Sequence, residues 1–169
     1  MAKKKLNLRE VILFGILGAL TFSMKVAMQA LPNIEPVTLT IMAYGAVFGL
    51  KALYPAYVYV TMEILYYGLG IWNLNYLYIW IIPAILGWHM RKMEHPLGWA
   101  ILSGTFGLLF GALCGLVDVV IGGVAYAIAK WASGILFDIY HCAGNFCLAL
   151  LLFVPLKNLL IKLNRQLQR

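Results

Sequence analysis

The chain has 169 residues, of which 63% are hydrophobic and only 11% charged. Soluble domains carry about 25% charged residues, so this composition excludes an ordinary globular enzyme and points to a chain embedded in a membrane. The formal charge of +7 does not point to nucleic acid, because the basic residues crowd the chain ends and one internal knot, the pattern of a topology signal.

At ~20 residues per crossing the length allows about six helices with short loops. The apolar runs are continuous and lack the alternation of barrel strands. The expected fold is a single all-α membrane domain over 1–169, a bundle of six transmembrane helices. There is no room for a soluble catalytic module or a nucleotide-binding loop. Met1-Ala2-Lys3-Lys4-Lys5 resembles the start of a signal peptide, but the apolar stretch after it is too long and lacks a small-residue cleavage site. It reads as a retained first span. Cys114, Cys142 and Cys147 show neither metal-ligand nor disulfide spacing. No metal site and no catalytic residue is expected.

In chain order, the first span covers about 9–31 and stops at Pro32. A short second span covers 37–50, and Lys51 marks a turn. The third covers 54–70. A polar aromatic stretch, Trp72-Asn73-Leu74-Asn75-Tyr76, leads to the fourth at 77–90. The knot Arg91-Lys92-Met93-Glu94-His95-Pro96 precedes the fifth at 97–116. A glycine-bearing connection, 118–131, is expected to be partly helical, and the sixth span covers 133–160 before a basic tail.

With both termini in the cytoplasm, the inner segments hold Lys3, Lys4, Lys5, Arg9, Lys51, Arg91, Lys92, Lys157, Lys162, Arg165 and Arg169. The outer side holds only Lys130, while Lys25 lies inside the first span. This asymmetry follows the positive-inside rule and favours an even number of crossings.

Lys25, Glu63, Asp118, Asp138 and His141 interrupt apolar runs. A charge inside a membrane costs about 2.5–3.5 kcal/mol on insertion scales and marks a functional site by default. In this topology all five fall in the outer half, and an exposed loop would also hold Asp118. Asn33 and Glu35 sit in a stiff outer loop flanked by Pro32 and Pro36. Trp72, Asn73, Asn75 and Tyr76 combine flat faces with amides, which suits a ring-bearing ligand, although an interfacial aromatic belt explains some of them. Lys25 and Glu63 either pair to lower their burial cost or reach into a cavity. Asp138, His141 and Asn145 share one helix face at successive turns. They line a pocket or form an interhelical network.

In the inner half, Gly15, Ala19, Ser23 and Ala27 repeat every fourth position on the first span. Gly104, Gly107, Gly111, Ala112 and Gly115 form a similar face on the fifth. Small residues let helices approach closely, either within the chain or against another membrane subunit.

Taken together, Leu31-Pro32-Asn33-Ile34-Glu35-Pro36-Val37-Thr38, Phe137-Asp138-Ile139-Tyr140-His141-Cys142 and the small-residue first helix resemble the substrate-binding S components of energy-coupling factor (ECF) transporters, over nearly the whole chain. The resemblance implies a multi-pass protein of the bacterial cytoplasmic membrane. It would capture a vitamin from outside and act with a transmembrane coupling subunit and two cytoplasmic ATPases, the ATP being used by those partners. Among vitamin classes the chain is most similar to the cobalamin-specific type. The family docks through Ala-x-x-x-Ala on the first helix. The matching positions here are Gly15, Ala19 and Ser23, which keep the small size but not the alanine pair.

The expected substrate-binding residues are therefore Lys25, Asn33, Glu35, Glu63, Trp72, Asn73, Asn75, Tyr76, Asp138, His141 and Asn145, with no cofactor bound by the chain itself. Two other readings exist. A small intramembrane hydrolase or transferase would use Asp138 and His141 with Cys142 or Ser133, but Cys142 directly follows His141 and points about 100° away on a helix. A secondary carrier or channel would relay protons through Glu63 and Asp138, but the inverted repeats of such carriers are not visible.

Overall fold

The computed structural model describes residues 6–31 and 34–167. Among these residues the chain is all-helical: α1 Leu8–Met28, α2 Val37–Phe48, α3 Leu53–Tyr67, α4 Trp72–Ile79, α5 Ile81–His89 and α6 Pro96–Leu167, with a 3-10 turn at Gly49–Ala52. The segments 8–28, 37–67 and 96–166 are each long and apolar enough to cross a membrane. At ~1.5 Å rise per residue, the 21 residues of α1 match a hydrocarbon core of about 30 Å.

Helix α1 starts at a capping box. The Asn7 side chain accepts from the Glu10 N–H at 2.8 Å, and the Glu10 carboxylate accepts from the Asn7 N–H at 3.2 Å. Two otherwise orphaned donors are thereby satisfied. Helix α2 ends at Gly49, whose φ of +62° is disfavoured for residues with a Cβ. The chain then reverses. Phe48 and Tyr54, on either side of the turn, both pack on Phe14 of α1. From there α3 follows α1 in parallel, Phe22 meeting Tyr66 at its far end.

The sequence predicts one helix over 77–90; the structure has two, α4 and α5, meeting at Trp80. Pro83 explains the break. It has no N–H to give the Ile79 carbonyl, and its ring clashes with that carbonyl in a continuous helix.

Residues 118–131, expected as a partly helical connection with glycines, are helical almost throughout. They are helical on both sides of Gly123, whose φ of +82° and ψ of 174° interrupt α6. The two arms, 96–122 and 124–167, fold back antiparallel. Trp99 stacks on Phe153 at 3.9 Å, the Gly111 N–H reaches Asp138, and Lys130 reaches Asp118. The non-helical part of the connection narrows to a single glycine, which adopts the turn geometry without strain.

Helix α2 lies at the centre, with residues 37–46 all buried, packed mainly against α5 and α6. Its contact with α5 is a close backbone approach. Gly45 lies against the Ala84 carbonyl and Gly87 against the Met42 carbonyl, leaving no room for a Cβ. Continuous burial accounts for its unbroken apolar run despite its short length. The outside of the bundle carries Ile12, Ile16 and Leu20 on α1 and Leu108, Leu109, Leu116 and Val120 on α6, all exposed. A surface this apolar is unfavourable in water and suits lipid.

Candidate ligand-binding site

The charged residues gather at opposite ends of the bundle. Near one end Glu10 pairs with Lys51, and the Lys157 ammonium donates to the carbonyls of Arg91 and Met93 at 2.8 and 3.0 Å. At the other end, where α1 and α3 finish and α4 begins, Lys25 donates to Glu63 Oε2 at 2.6 Å.

Around this second pair lies a cavity of 230 Å³ lined by Lys25, Glu63, Tyr67, Trp72 and Tyr76. The Lys25 ammonium sits 5.6–5.9 Å from the ring centroids of Tyr59, Tyr67 and Tyr76, within cation–π range. Trp72 packs edge-on against Tyr76 at 5.1 Å. The Glu63 side chain is 1% exposed and that of Lys25 18%. Glu63 Oε1 is buried without a hydrogen-bond partner. Buried polar atoms are almost always paired, so the unpaired Glu63 oxygen on the cavity wall leaves an acceptor open to a donor placed there.

Glu35 follows the end of α1 and precedes α2. It is half-buried, and its charge acts on the same group: Lys25, Glu63, Tyr59 and Tyr76. Burial raises its carboxyl above the usual 4.5, Lys25 pulls it down and Glu63 pushes it up. Asn33 lies outside the described residues.

The structure thus brings Lys25, Glu35, Glu63, Trp72 and Tyr76 to one place. Tyr59 and Tyr67 join them, although sequence reasoning did not select either. A signal was present, because Tyr59, Glu63 and Tyr67 are spaced four apart and share one face of α3.

Asn73 and Asn75 are used locally. Asn73 Oδ1 accepts from the Gly70 N–H at 2.6 Å, which closes the turn into α4, and its Nδ2 is buried without a partner. Asn75 Oδ1 lies 3.0 Å from the Tyr78 hydroxyl, which also reaches the Leu113 carbonyl at 2.7 Å.

Asp138, His141 and Asn145 form a buried stripe on the second arm of α6, away from the cavity. Asp138 accepts from the Gly111 N–H at 2.9 Å and from Trp131 Nε1 at 3.1 Å. Asn145 Nδ2 donates to Thr38 Oγ1 at 3.2 Å and to the Ser103 carbonyl at 3.3 Å. His141 packs edge-on against Phe110 at 4.8 Å. Trp80 stands between the two regions, 5.4 Å from Tyr76 and 5.9 Å from Phe110. The stripe ties the hairpin arms to each other and to α2.

The small-residue faces divide in the same way. Gly104, Gly107 and Gly111 are occupied by the facing arm of the hairpin. On α1 the internal contact belongs to Gly18, which lies against Val58 and Pro55 of α3. A Cβ at Gly15 would meet nothing within 4 Å. Ser23 is exposed, its hydroxyl donating back to the Ala19 carbonyl at 2.9 Å. The Gly15–Ala19–Ser23 face is therefore open in the isolated chain. No family model, no curated protein and no solved structure matches this chain.

Proposed function

We propose that this chain is the membrane-embedded substrate-binding S subunit of an ECF-type transporter. It captures a vitamin from outside the bacterial cytoplasmic membrane for uptake driven by ATP hydrolysis in partner subunits. The observation that carries this reading is the cavity at Lys25 and Glu63. It has a buried ion pair, an aromatic wall and an unpaired buried carboxylate oxygen at the sparsely basic end of an apolar bundle. Pockets of this kind hold small molecules, and intramembrane ionisable residues mark substrate paths.

In this reading the membrane is crossed six times. The passes are α1, α2, α3, α4 together with α5, and the two arms of α6, with both termini cytoplasmic. The open Gly15–Ala19–Ser23 face is the docking surface for the transmembrane coupling subunit, since small residues permit close helix approach. The two cytoplasmic ATPases attach through that subunit. Cobalamin, which the sequence resemblance suggests, is far larger than a 230 Å³ cavity. Its capture would require the loops over the site to move aside. A ligand of one or two rings fits the cavity as it stands.

Uptake of radiolabelled vitamins by cells carrying this chain with and without ECF coupling subunits tests the proposal. Uptake that requires those subunits and is lost in Gly15→Leu, while the purified variant still binds its vitamin, is the expected result. Uptake independent of any ATPase, or no binding of any vitamin by the purified chain, overturns it.

A further inference from the structure

The Lys25–Glu63 pair offers the cavity both halves of a hydrogen-bonding couple. An ammonium has three N–H donors. Lys25 gives one to Glu63 Oε2 at 2.6 Å and, among the described residues, makes no other hydrogen bond. The three tyrosine rings around it stabilise its charge through their faces, which leaves N–H donors over. The carboxylate is the mirror case. Its Oε2 takes the ammonium, while Oε1 is buried and unpartnered in a side chain only 1% exposed. Both residues line the same 230 Å³ cavity. A ligand with an acceptor and a donor at neighbouring positions matches both.

The pair also cancels its own charge. The rest of the lining is Tyr67, Trp72 and Tyr76, which bring aromatic faces and no second carboxylate or ammonium. An anionic ligand would compete with Glu63 for the ammonium. A cation would add a second positive charge beside Lys25 with one lining carboxylate to share. Either leaves a charge uncompensated in a largely buried site, which is unfavourable. A neutral ligand leaves the pair intact. The walls favour a flat body, since Trp72 stands edge-on to Tyr76 at 5.1 Å and a planar ring finds a face and an edge to pack on.

We propose that this site takes a neutral planar heterocycle whose edge carries an N–H beside a C=O, as in a ring lactam, the N–H donating to Glu63 Oε1 and the carbonyl accepting from Lys25. This rests on the reading of the cavity as the substrate site and adds the chemical class of the substrate.

The test uses four bicyclic probes, titrated onto the full-length protein in lipid nanodiscs, with empty nanodiscs as the blank, and followed by ligand-observed NMR. Carbostyril carries the lactam N–H and carbonyl. Coumarin has the same shape and carbonyl but an oxygen in place of the N–H. Quinaldate is an anion, and naphthamidine is a cation with N–H donors. Carbostyril is expected to bind at least about tenfold more tightly than coumarin, the worth of one hydrogen bond to a charged group, and more tightly than either ion. Glu63→Gln should cut the preference over coumarin to below about threefold. Because that change also disturbs the ion pair, Trp72→Ala, which leaves the pair intact, serves as the second variant. It should weaken carbostyril and coumarin alike, by about threefold or more, and keep the preference between them. Coumarin binding as tightly as carbostyril overturns the donor assignment while leaving the cavity as a binding site. Quinaldate or naphthamidine binding as tightly as carbostyril overturns the neutral class. Failure of all four probes to bind overturns both the inference and the reading of the cavity. Carbostyril binding unchanged in both variants overturns the assignment to this site.

Discussion

Lys25 and Glu63 are 38 positions apart in the chain and meet at 2.6 Å, joining the end of α1 to the end of α3 inside an aromatic enclosure. Each is expensive to bury alone. Removing one partner of such a pair strands a charge and destabilises by about 3–5 kcal/mol. Because Lys25 retains 18% exposure, Lys25→Met should cost about 3 kcal/mol, near the lower end of that range. The double variant Lys25→Met/Glu63→Leu should recover much of the loss. Thermal melts in detergent would check this, and a double variant less stable than Lys25→Met would contradict it.

The α2–α5 contact is a second sharp point. A methyl group at Gly45 or Gly87 would run into the Ala84 or Met42 carbonyl, and backbone cannot retreat as a flexible side chain does. Gly45→Ala and Gly87→Ala should each cost at least ~1–3 kcal/mol. Gly15→Ala, on the open face of α1, should be neutral or slightly stabilising, since alanine is the better helix former. Comparable losses at all three sites would show that the close approach is not what limits stability.

Asn145 holds the second arm of α6 to Thr38 on α2 and to Ser103 on the first arm. Asn145→Ala leaves the Thr38 hydroxyl short of a partner in the core and should cost about 1–3 kcal/mol. Ligand affinity at the cavity should hardly change, because Trp80 and Phe110 stand between the two regions. A large loss of affinity at unchanged stability would instead make the stripe part of the binding site.

Glu35 provides a pH test with a defined sign. Its carboxyl is raised above 4.5 in the folded state, so between that value and the folded pKa the native chain holds more protons than the unfolded one. Stability from this group is therefore fully present below the ordinary carboxylate range and is lost as pH rises through the raised pKa. Without ligand, Glu35→Gln should melt with the parent at about pH 4 and above it near pH 7.5. A variant that melts below the parent at the higher pH would mean that Lys25 outweighs burial.

Much of the helix content was legible in the sequence because a membrane imposes one simple demand, that every backbone group be satisfied within its own segment. The starts of α1, α2 and α3 fall within a residue or two of their expected positions for that reason. The cuts at Trp80 and Gly123 were harder to read. The Pro83 clash and the left-handed Gly123 each act at a single residue, whereas hydropathy averages over twenty.

By itself the sequence determined that the chain is apolar and helical, and that its few ionisable residues are too costly to be incidental. Which of them converge was decided only by the tertiary structure. Lys25, Glu35, Glu63, Trp72 and Tyr76 come from four separate segments, and their meeting depends on α3 following α1 after the reversal at Gly49. Asp138, His141 and Asn145 sit on one helix face in either case, but only the closing of the hairpin on α2 turned that face inward to other helices. Local spacing defines the face a residue occupies, and packing between distant segments decides what that face meets.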